Sequence, residues 1–144
     1  MMFILDNNVI SELWKSAPDP KVLDWLLKNE WFVPAPVIAE IQAGAEQAPS
    51  ETRRHDLNSK LDQLVSQFSA ALLDWDAETA RTWGKLQHST EVRRQPQALW
   101  DSLIDAMGVR NNAVIVTRNH SDFRHAATFD PWTGLEHAPG QHPA

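Results

Sequence analysis

Cysteine is absent from this chain of 144 residues. The chain can therefore form no disulfide, no thiolate metal site and no cysteine nucleophile, and its composition suits a reducing cytoplasm. Long apolar runs are also missing, because no stretch approaches the roughly 20 apolar residues of a membrane-spanning helix. The short apolar start ends at Asp6 and has neither a basic region nor a small-residue cleavage site, so we expect no signal peptide. We expect a cytoplasmic protein without a membrane partner.

A surplus of basic residues is missing as well. The chain has 13 Lys and Arg against 19 Asp and Glu, and its formal net charge is -6. General nucleic-acid binders are usually basic, so this balance argues against tight non-specific coating of DNA. It does not exclude a nuclease, because bound divalent cations would offset part of an acidic site.

Short strand-like segments alternate with amphipathic helical segments along the chain. This alternation predicts βα units, and hence an α/β fold with a mainly parallel central sheet flanked by helices. The length suits one domain with one core, which we expect over residues 1–132. Residues 133–144 are predicted to form a flexible C-terminal tail. The predicted strands lie at 2–5, 31–33, 72–73, 113–116 and 128–129.

Four acidic residues stand beside or just beyond apolar runs in this pattern: Asp6, Glu40, Asp101 and Asp122. The strand ends of an open α/β sheet converge on one crevice, so acids placed there can meet although they are far apart in sequence. Gathered carboxylates repel each other unless they are protonated or bridged by a cation. Oxygen ligands of this kind suit Mg²⁺ or Mn²⁺. The pattern therefore predicts a metal-dependent phosphoryl-transfer enzyme.

Each acid taken alone also has a purely structural interpretation. Asp6 can cap the helix that follows it, although the next two asparagines can do the same. Asp101 lies in the first turn of an apolar helix, where the helix dipole favours an acid. Glu40 is either exposed beside an apolar stripe or paired, and Asp122 can be a turn residue. Asp105 follows Asp101 at i+4 on the same face, which costs stability unless a cation or a basic residue lies between them.

The sequence around these acids resembles the four motifs of PIN-domain ribonucleases, and it is most similar to the VapC-like toxins of bacterial toxin–antitoxin pairs. The resemblance extends from Met2 to Trp132, where Pro131-Trp132 is similar to the end of that family's domain. The matching segments are residues 5–12, 37–44, 101–104 and 116–123.

The resemblance implies a parallel sheet flanked by helices and endonuclease action on RNA with Mg²⁺ or Mn²⁺. Asp6 and Asp101 are the expected direct metal ligands, and Glu40 and Asp122 are expected to act directly or through water. The resemblance also implies a homodimer and a small antitoxin protein that inhibits the site. The matching supporting residues are Asn8, Thr117 and Asn119.

Three features depart from the family pattern. Asn7 stands where the family most often has a small hydroxyl residue. Asp105 stands where the family usually has alanine, and it is expected to add negative charge near the site as a further supporting residue. The tail after Trp132 is longer than usual.

Aromatic residues provide two further expectations. Trp14, Trp25 and Trp31 lie on or beside short helices, and we expect part of their surface to form the dimer interface. Trp100, next to Asp101, is the candidate for stacking on an RNA base.

Two other functions compete with the ribonuclease hypothesis. An aspartyl-phosphate phosphatase also places an acid after its first strand, but it needs a second acid two residues later, where this chain has Asn8. A catalytically silent module that only binds a partner protein or DNA is the second alternative. The presence of all four acids favours the enzyme, and calorimetry with divalent ions separates the two because a silent module should bind little metal.

Overall fold

The computed structural model describes residues 1–140. Short strands alternate with helices as the sequence predicts, and two 3-10 turns lie at Ser69–Ala71 and His120–Asp122. The strands are β1 (Met2–Leu5), β2 (Val33–Pro34), β3 (Leu72–Leu73), β4 (Ala113–Val116), β5 (Ala127–Phe129) and β6 (Glu136–His137). The helices are α1 (Asn7–Leu13), α2 (Pro20–Lys28), α3 (Ala35–Glu46), α4 (Glu51–Gln67), α5 (Ala77–Leu86), α6 (Thr90–Arg94) and α7 (Leu99–Arg110).

The central sheet has the order β1-β4-β5-β6. β4 pairs in parallel with β1 and with β5, and β6 pairs antiparallel to β5. A second parallel pair, β2 and β3, is joined to β1 by the bridge between Ile4 and Phe32. The prediction of an α/β fold with a mainly parallel sheet flanked by helices is confirmed.

The parallel pairing explains why residues far apart in sequence meet at one end of the sheet. The amide of Asp6, directly after β1, donates to the carbonyl of Val116 at the end of β4 at 3.0 Å. The amide of Thr117, directly after β4, donates to the carbonyl of Phe129 in β5 at 2.9 Å. The residues that follow β1 and β4 therefore stand side by side.

Helices pack on both faces of the sheet and bury one apolar core. On one face, α7 approaches so closely that a Cβ added at Gly108 would lie 2.6 Å from the Cβ of Ala126. On the other face, Trp25 of α2 makes an edge contact with Phe3 of β1 and stacks on Phe129 of β5. The largest fully buried side chains include Phe123, Ile4, Leu5, Ile10, Ile104 and Met107.

The three tryptophans expected at a dimer interface are partly buried and pack against the core. Trp25 lies between two aromatic rings of the sheet, and Trp31 contacts Phe68 and donates its indole N–H to the carbonyl of Leu26 at 3.1 Å. Each of the three side chains keeps part of its surface exposed, so their part in a dimer interface stays a prediction.

The region beyond Trp132 contains a strand that the sequence did not predict. Residues Glu136 and His137 form β6 at the edge of the sheet, after a turn in which Asp130 accepts hydrogen bonds from the amides of Trp132 and Thr133. Flexibility of residues 133–144 stays a prediction, and residues 141–144 lie outside the described part of the chain. Within residues 1–140, every helix is too short or too polar to cross a membrane.

Candidate active site

The four acids predicted from the sequence line one cleft at the ends of β1 and β4. Asp6 follows β1, Glu40 lies on α3, Asp101 lies in the first turn of α7, and Asp122 ends the 3-10 turn after β4. The cleft has a volume of about 480 Å³ and is open to solvent. Asn8 and Asn119 also line the cleft. The roles of the four acids in catalysis and metal binding stay predictions.

Asp6 is the most firmly held of the four carboxylates. It is the N-cap of α1, and its Oδ1 accepts the amide N–H of Asn7 at 2.7 Å. Its Oδ2 accepts hydrogen bonds from the side chains of Thr117 at 2.8 Å and Asn8 at 3.1 Å. Of the capping residues considered from the sequence, Asp6 caps the helix, whereas Asn7 and Asn8 lie inside α1. Asp6 therefore caps the helix and faces the cleft at the same time.

A small polar network fixes the Asp6 side chain from behind. The hydroxyl of Thr117 is buried, donates to Asp6, and accepts the amide N–H of Asn119 at 3.0 Å and the side-chain amide of Asn8 at 3.1 Å. Asn8, Thr117 and Asn119 are the supporting positions predicted from the sequence. The structure connects all three to one carboxylate.

Burial and mutual repulsion raise the pKa of three of the four acids. For Asp6, burial raises the pKa, hydrogen bonds from Thr117 and Asn7 oppose the rise, and the charge of Asp122 adds to it. For Glu40, burial and then the charge of Asp6 raise the pKa, while the Asn7 side chain lowers it. The cleft therefore disfavours its own full ionisation.

The carboxyl group of Asp101 has a strongly raised pKa. Burial, and then the charges of Asp122, Asp6 and Glu40, raise its pKa from 3.8 to about 7. The structure shows no hydrogen bond or ion pair to its side chain among residues 1–140. Within residues 1–140, Asp101 therefore has neither a hydrogen-bond donor nor a cation that would stabilise its carboxylate.

The donor set of the cleft fits a hard divalent cation by type and by charge. All four acids offer oxygen, the ligand atom that Mg²⁺ and Mn²⁺ prefer. Oε1 of Glu40 and Oδ1 of Asn8 are buried and accept no hydrogen bond. However, no three Asp, Glu or His side chains of residues 1–140 already stand close enough together to hold one ion. The chemistry of the donors fits a metal ion, whereas their present spacing does not form a complete ligand set.

Asp105 lies apart from the cleft, although it follows Asp101 by one helical turn. Its side chain is fully buried and accepts hydrogen bonds from the backbone amides of Arg124, His125 and Ala126 at 2.9 to 3.3 Å. Nδ1 of His125 lies 2.9 Å from Oδ2 of Asp105. The structure thus connects Asp105 to the loop before β5. Its charge is the smallest of the causes that raise the pKa of Asp101, and the side-chain amide of Gln97 connects it to the backbone carbonyl of Asp122.

Two charged residues of the cleft lining, Glu12 and Lys15, were not predicted from the sequence. Glu12 of α1 is buried, and hydrogen bonds from Lys15 at 2.9 Å and from the amide of Asp19 at 2.9 Å lower its pKa. Lys15 and Arg118 supply positive charge to the cleft lining, and the guanidinium of Arg118 lies 4.2 Å from the ring centroid of Trp132. Glu12 could have been found, since it stands at i+4 from Asn8 on the same face of α1.

Trp100, the candidate for stacking on a base, and His120, two residues before Asp122, both lie outside the cleft lining. Trp100 lines a wholly apolar surface groove together with Trp75 and Trp83. The ring of His120 stacks on that of His137 at a centroid distance of 4.1 Å. Neither side chain lines the acidic cleft.

Comparisons with known proteins relate the fold and the cleft to one family. The PIN domain family matches residues 3–128. The chain is 28% identical over 137 residues to VapC ribonuclease Y4jK of Sinorhizobium fredii, a match that covers 91% of this chain and 98% of that protein. It is 26% identical to Toxin FitB of Neisseria gonorrhoeae, over 91% of this chain and 99% of the toxin. The crystal structure of FitAcB from Neisseria gonorrhoeae superposes with a TM-score of 0.77 at 25% identity, over 92% of this chain and 99% of that one.

Proposed function

The chain belongs to the PIN domain family, and from this premise we propose that it is a metal-dependent endoribonuclease that acts as the toxin of a toxin–antitoxin pair. The observation that carries the proposal is the convergence of Asp6, Glu40, Asp101 and Asp122 on one cleft. The similarity to a VapC ribonuclease and to Toxin FitB supports the substrate and the biological role. We place the reaction in the cytoplasm, where its RNA substrate is found.

Asp6 and Asp101 are the proposed direct ligands of Mg²⁺ or Mn²⁺, and Glu40 and Asp122 are the proposed ligands that act directly or through water. A bound ion of this kind lowers the pKa of a water molecule and neutralises charge on the phosphate. The carboxylates would gain most from such a cation, because three of them have raised pKa values and repel one another. Ion binding would therefore reduce the electrostatic repulsion between these carboxylates.

The chain's own groups then orient the reaction. Thr117 and Asn8 hold the Asp6 carboxylate, so that its position is set before substrate arrives. Arg118 and Lys15 are the cations of the cleft lining, and we assign them to the phosphate oxygens. The raised pKa of Asp101 reflects the negative charge crowded around it, and a bound cation would lower this pKa and keep the carboxylate ionised.

The experiment that tests the activity uses purified protein, a labelled single-stranded RNA, and EDTA followed by Mg²⁺ or Mn²⁺. Cleavage should stop in EDTA and return with either ion. Asp101→Asn should be inactive while keeping the circular dichroism spectrum of the wild type. Asp62→Asn, on the exposed face of α4, is the matched control and should remain active. Cleavage that persists in EDTA or in Asp101→Asn would reject the proposal, and absent metal binding by calorimetry would favour a silent binding module.

A homodimer is the proposed assembly, and the wholly apolar groove supports it better than the tryptophans named from the sequence. This groove is formed by α3, α5, α7 and Trp75. The same helices α3 and α7 carry Glu40 and Asp101, so a second copy seated there would lie beside the acidic cleft. Apolar surface of this kind commonly marks an interface. The residues that line it are Ala35, Pro36, Ala39, Trp75, Ala80, Trp83, Trp100 and Leu103.

A small antitoxin is the proposed inhibitor of the cleft. The acids of the cleft outnumber its cations, with Asp6, Glu12, Glu40, Asp101 and Asp122 against Lys15 and Arg118. An Arg or Lys side chain inserted by a partner would pair with these carboxylates and occupy the place of the metal ion. The carboxylates that bind the metal ion for the reaction would thus also bind the inhibitor's cationic side chain.

A further inference from the structure

A second groove opens directly from the acidic cleft. It lies between α1, α3 and α4, has a volume of about 460 Å³, and we refer to it as the α4 groove. The two depressions share four lining residues: Asn7, Ser11, Lys15 and Glu40. Because they share this wall, a chain bound across the cleft can continue into the α4 groove without leaving the surface.

The sign of the charge changes between the cleft and the α4 groove. The groove is lined by three cations, Lys15, Arg53 and Lys60, and by a single acid, Glu40. The cleft lining contains five acids and two cations. The cations of the groove therefore attract a polyanion. The acids of the cleft repel a polyanion unless bound cations neutralise them.

The two cations on α4 are held at the groove by weak, exposed contacts. Arg53 and Lys60 both pair with Asp56, at 3.2 and 3.0 Å, and the Asp56 side chain is 46% exposed. The ammonium of Lys60 also lies 3.4 Å from the carbonyl of Trp14 at the end of α1. Exposed ion pairs contribute little stability, so an incoming phosphate can replace Asp56 as the partner.

The floor of the α4 groove is apolar and contains a glycine that packing does not require. Trp14, Ile41 and Leu57 line the floor beside Gly44. Gly44 lies inside α3, where glycine lowers helix stability, yet a Cβ added there would meet nothing within 4 Å. The missing side chain leaves space in the groove, which suits an occupant that lies close to the helix backbone.

We propose that the α4 groove binds the single-stranded RNA on one side of the scissile phosphate. Lys15, Arg53 and Lys60 contact its phosphates, and the apolar floor contacts its bases. Single-stranded RNA fits both features, because it carries a charge on every nucleotide and exposes the apolar faces of its bases. The inference rests on the proposed function, since it assigns a path to the substrate of the acidic cleft.

The test measures RNA binding separately from cleavage. A fluorescein-labelled RNA of about 12 nucleotides, roughly one site of a single-strand binder, is titrated with Asp101→Asn protein, and the anisotropy is recorded at several salt concentrations. Adding Arg53→Gln and Lys60→Gln should raise Kd at least tenfold. The slope of log Kd against log salt should fall by about 1.4, since each lost phosphate contact removes about 0.7. Lys28→Gln with Arg81→Gln removes the same charge from exposed positions of α2 and α5 and should leave Kd nearly unchanged.

Gly44→Met provides an independent variant that tests the floor rather than the charge. Methionine favours helix more than glycine does, so the melting temperature should not fall. RNA binding should nevertheless weaken, because the side chain enters the groove. A merely structural role for Gly44 would leave the affinity for RNA unchanged.

Steady-state kinetics distinguish failure of this inference from failure of the proposed function. In otherwise wild-type protein, Arg53→Gln with Lys60→Gln should raise KM for the long RNA, with kcat unchanged and cleavage of a dinucleotide unaffected. Equal losses in the control pair, or unchanged binding in both groove variants, would overturn the RNA path while leaving the ribonuclease proposal intact. Unchanged RNA binding combined with lost inhibition by a co-expressed antitoxin would assign the groove to a protein segment instead. Absence of any metal-dependent cleavage by the wild type would reject the proposed function.

Discussion

Replacing Asp101 with asparagine should stabilise the protein when no divalent ion is bound. The Asp101 side chain is only partly buried and accepts no hydrogen bond within residues 1–140. Its pKa is raised to about 7 by burial and by the charges of Asp122, Asp6 and Glu40. Asparagine has nearly the same shape and no charge, so the substitution removes repulsion without removing a contact.

The size and the pH dependence of the gain follow from the raised pKa. A rise from 3.8 to about 7 corresponds to an upper limit of about 4 kcal/mol. Solvent screens the repulsion because Asp101 is partly exposed, so we expect a gain of about 1–2 kcal/mol. Below pH 3.8 the carboxyl group is protonated in both the folded and the unfolded state, and its charge costs nothing. The cost grows as the pH rises to about 7 and is constant above it, so the gain should be small in acid and full in mild base.

Asp105→Asn is the matched substitution one helical turn later, and it should have the opposite effect. The buried Asp105 carboxylate accepts hydrogen bonds from the amides of Arg124, His125 and Ala126. An asparagine would turn its own NH₂ group toward these donors, and unsatisfied buried groups cost about 1–3 kcal/mol each. Asp105→Asn should therefore destabilise the fold at neutral pH.

Urea unfolding followed by tryptophan fluorescence measures both effects in EDTA, at an acidic and a mildly basic pH. In a parallel thermal melt, the melting temperature of Asp101→Asn should rise by roughly 3–7 °C in mild base. Asp62→Asn, at an exposed position of α4, should change stability by less than about 0.5 kcal/mol. A loss of stability in Asp101→Asn, or a gain of equal size at both pH values, would refute repulsion in the cleft as the cause.

Three further predictions concern packing, assembly and inhibition. Gly108→Ala should lower the free energy of unfolding by about 1–3 kcal/mol, because its Cβ would lie 2.6 Å from that of Ala126. Gly44→Ala should raise the free energy of unfolding by about 0.5–1 kcal/mol, because a Cβ there meets nothing within 4 Å. Thermal melts of the two variants check this contrast. Ala80→Arg, which places a charge in the apolar groove, should yield a monomer of 16.3 kDa by light scattering, while wild type and the exposed control Ser66→Arg should give twice that mass; a wild-type monomer at micromolar concentration would contradict the dimer. Expression of the protein alone should arrest growth and co-expression of its antitoxin should restore it, and toxicity that persists with both proteins present would contradict inhibition.

The amino-acid sequence was sufficient to predict the architecture and the position of the acids. Alternation of short apolar runs with amphipathic segments is a local signal, and it indicated the strands β1 and β4 with the correct ends. Parallel strands converge at one edge of a sheet, so acids placed just after them, such as Asp6 and Asp122, were predicted to meet Glu40 and Asp101. The structure places all four in one cleft. Local periodicity and the geometry of a parallel sheet together made this prediction possible.

Only the tertiary structure decided what each charged or aromatic side chain contacts. Asp101 and Asp105 share a helix face in the sequence pattern, yet one faces the cleft and the other binds amides 19 to 21 residues further along the chain. Trp31 packs against Phe68 and the core, whereas Trp100 lines the apolar surface groove rather than the acidic cleft. Helical spacing determines which side chains share a face, whereas the partner of that face is set by contacts between distant segments.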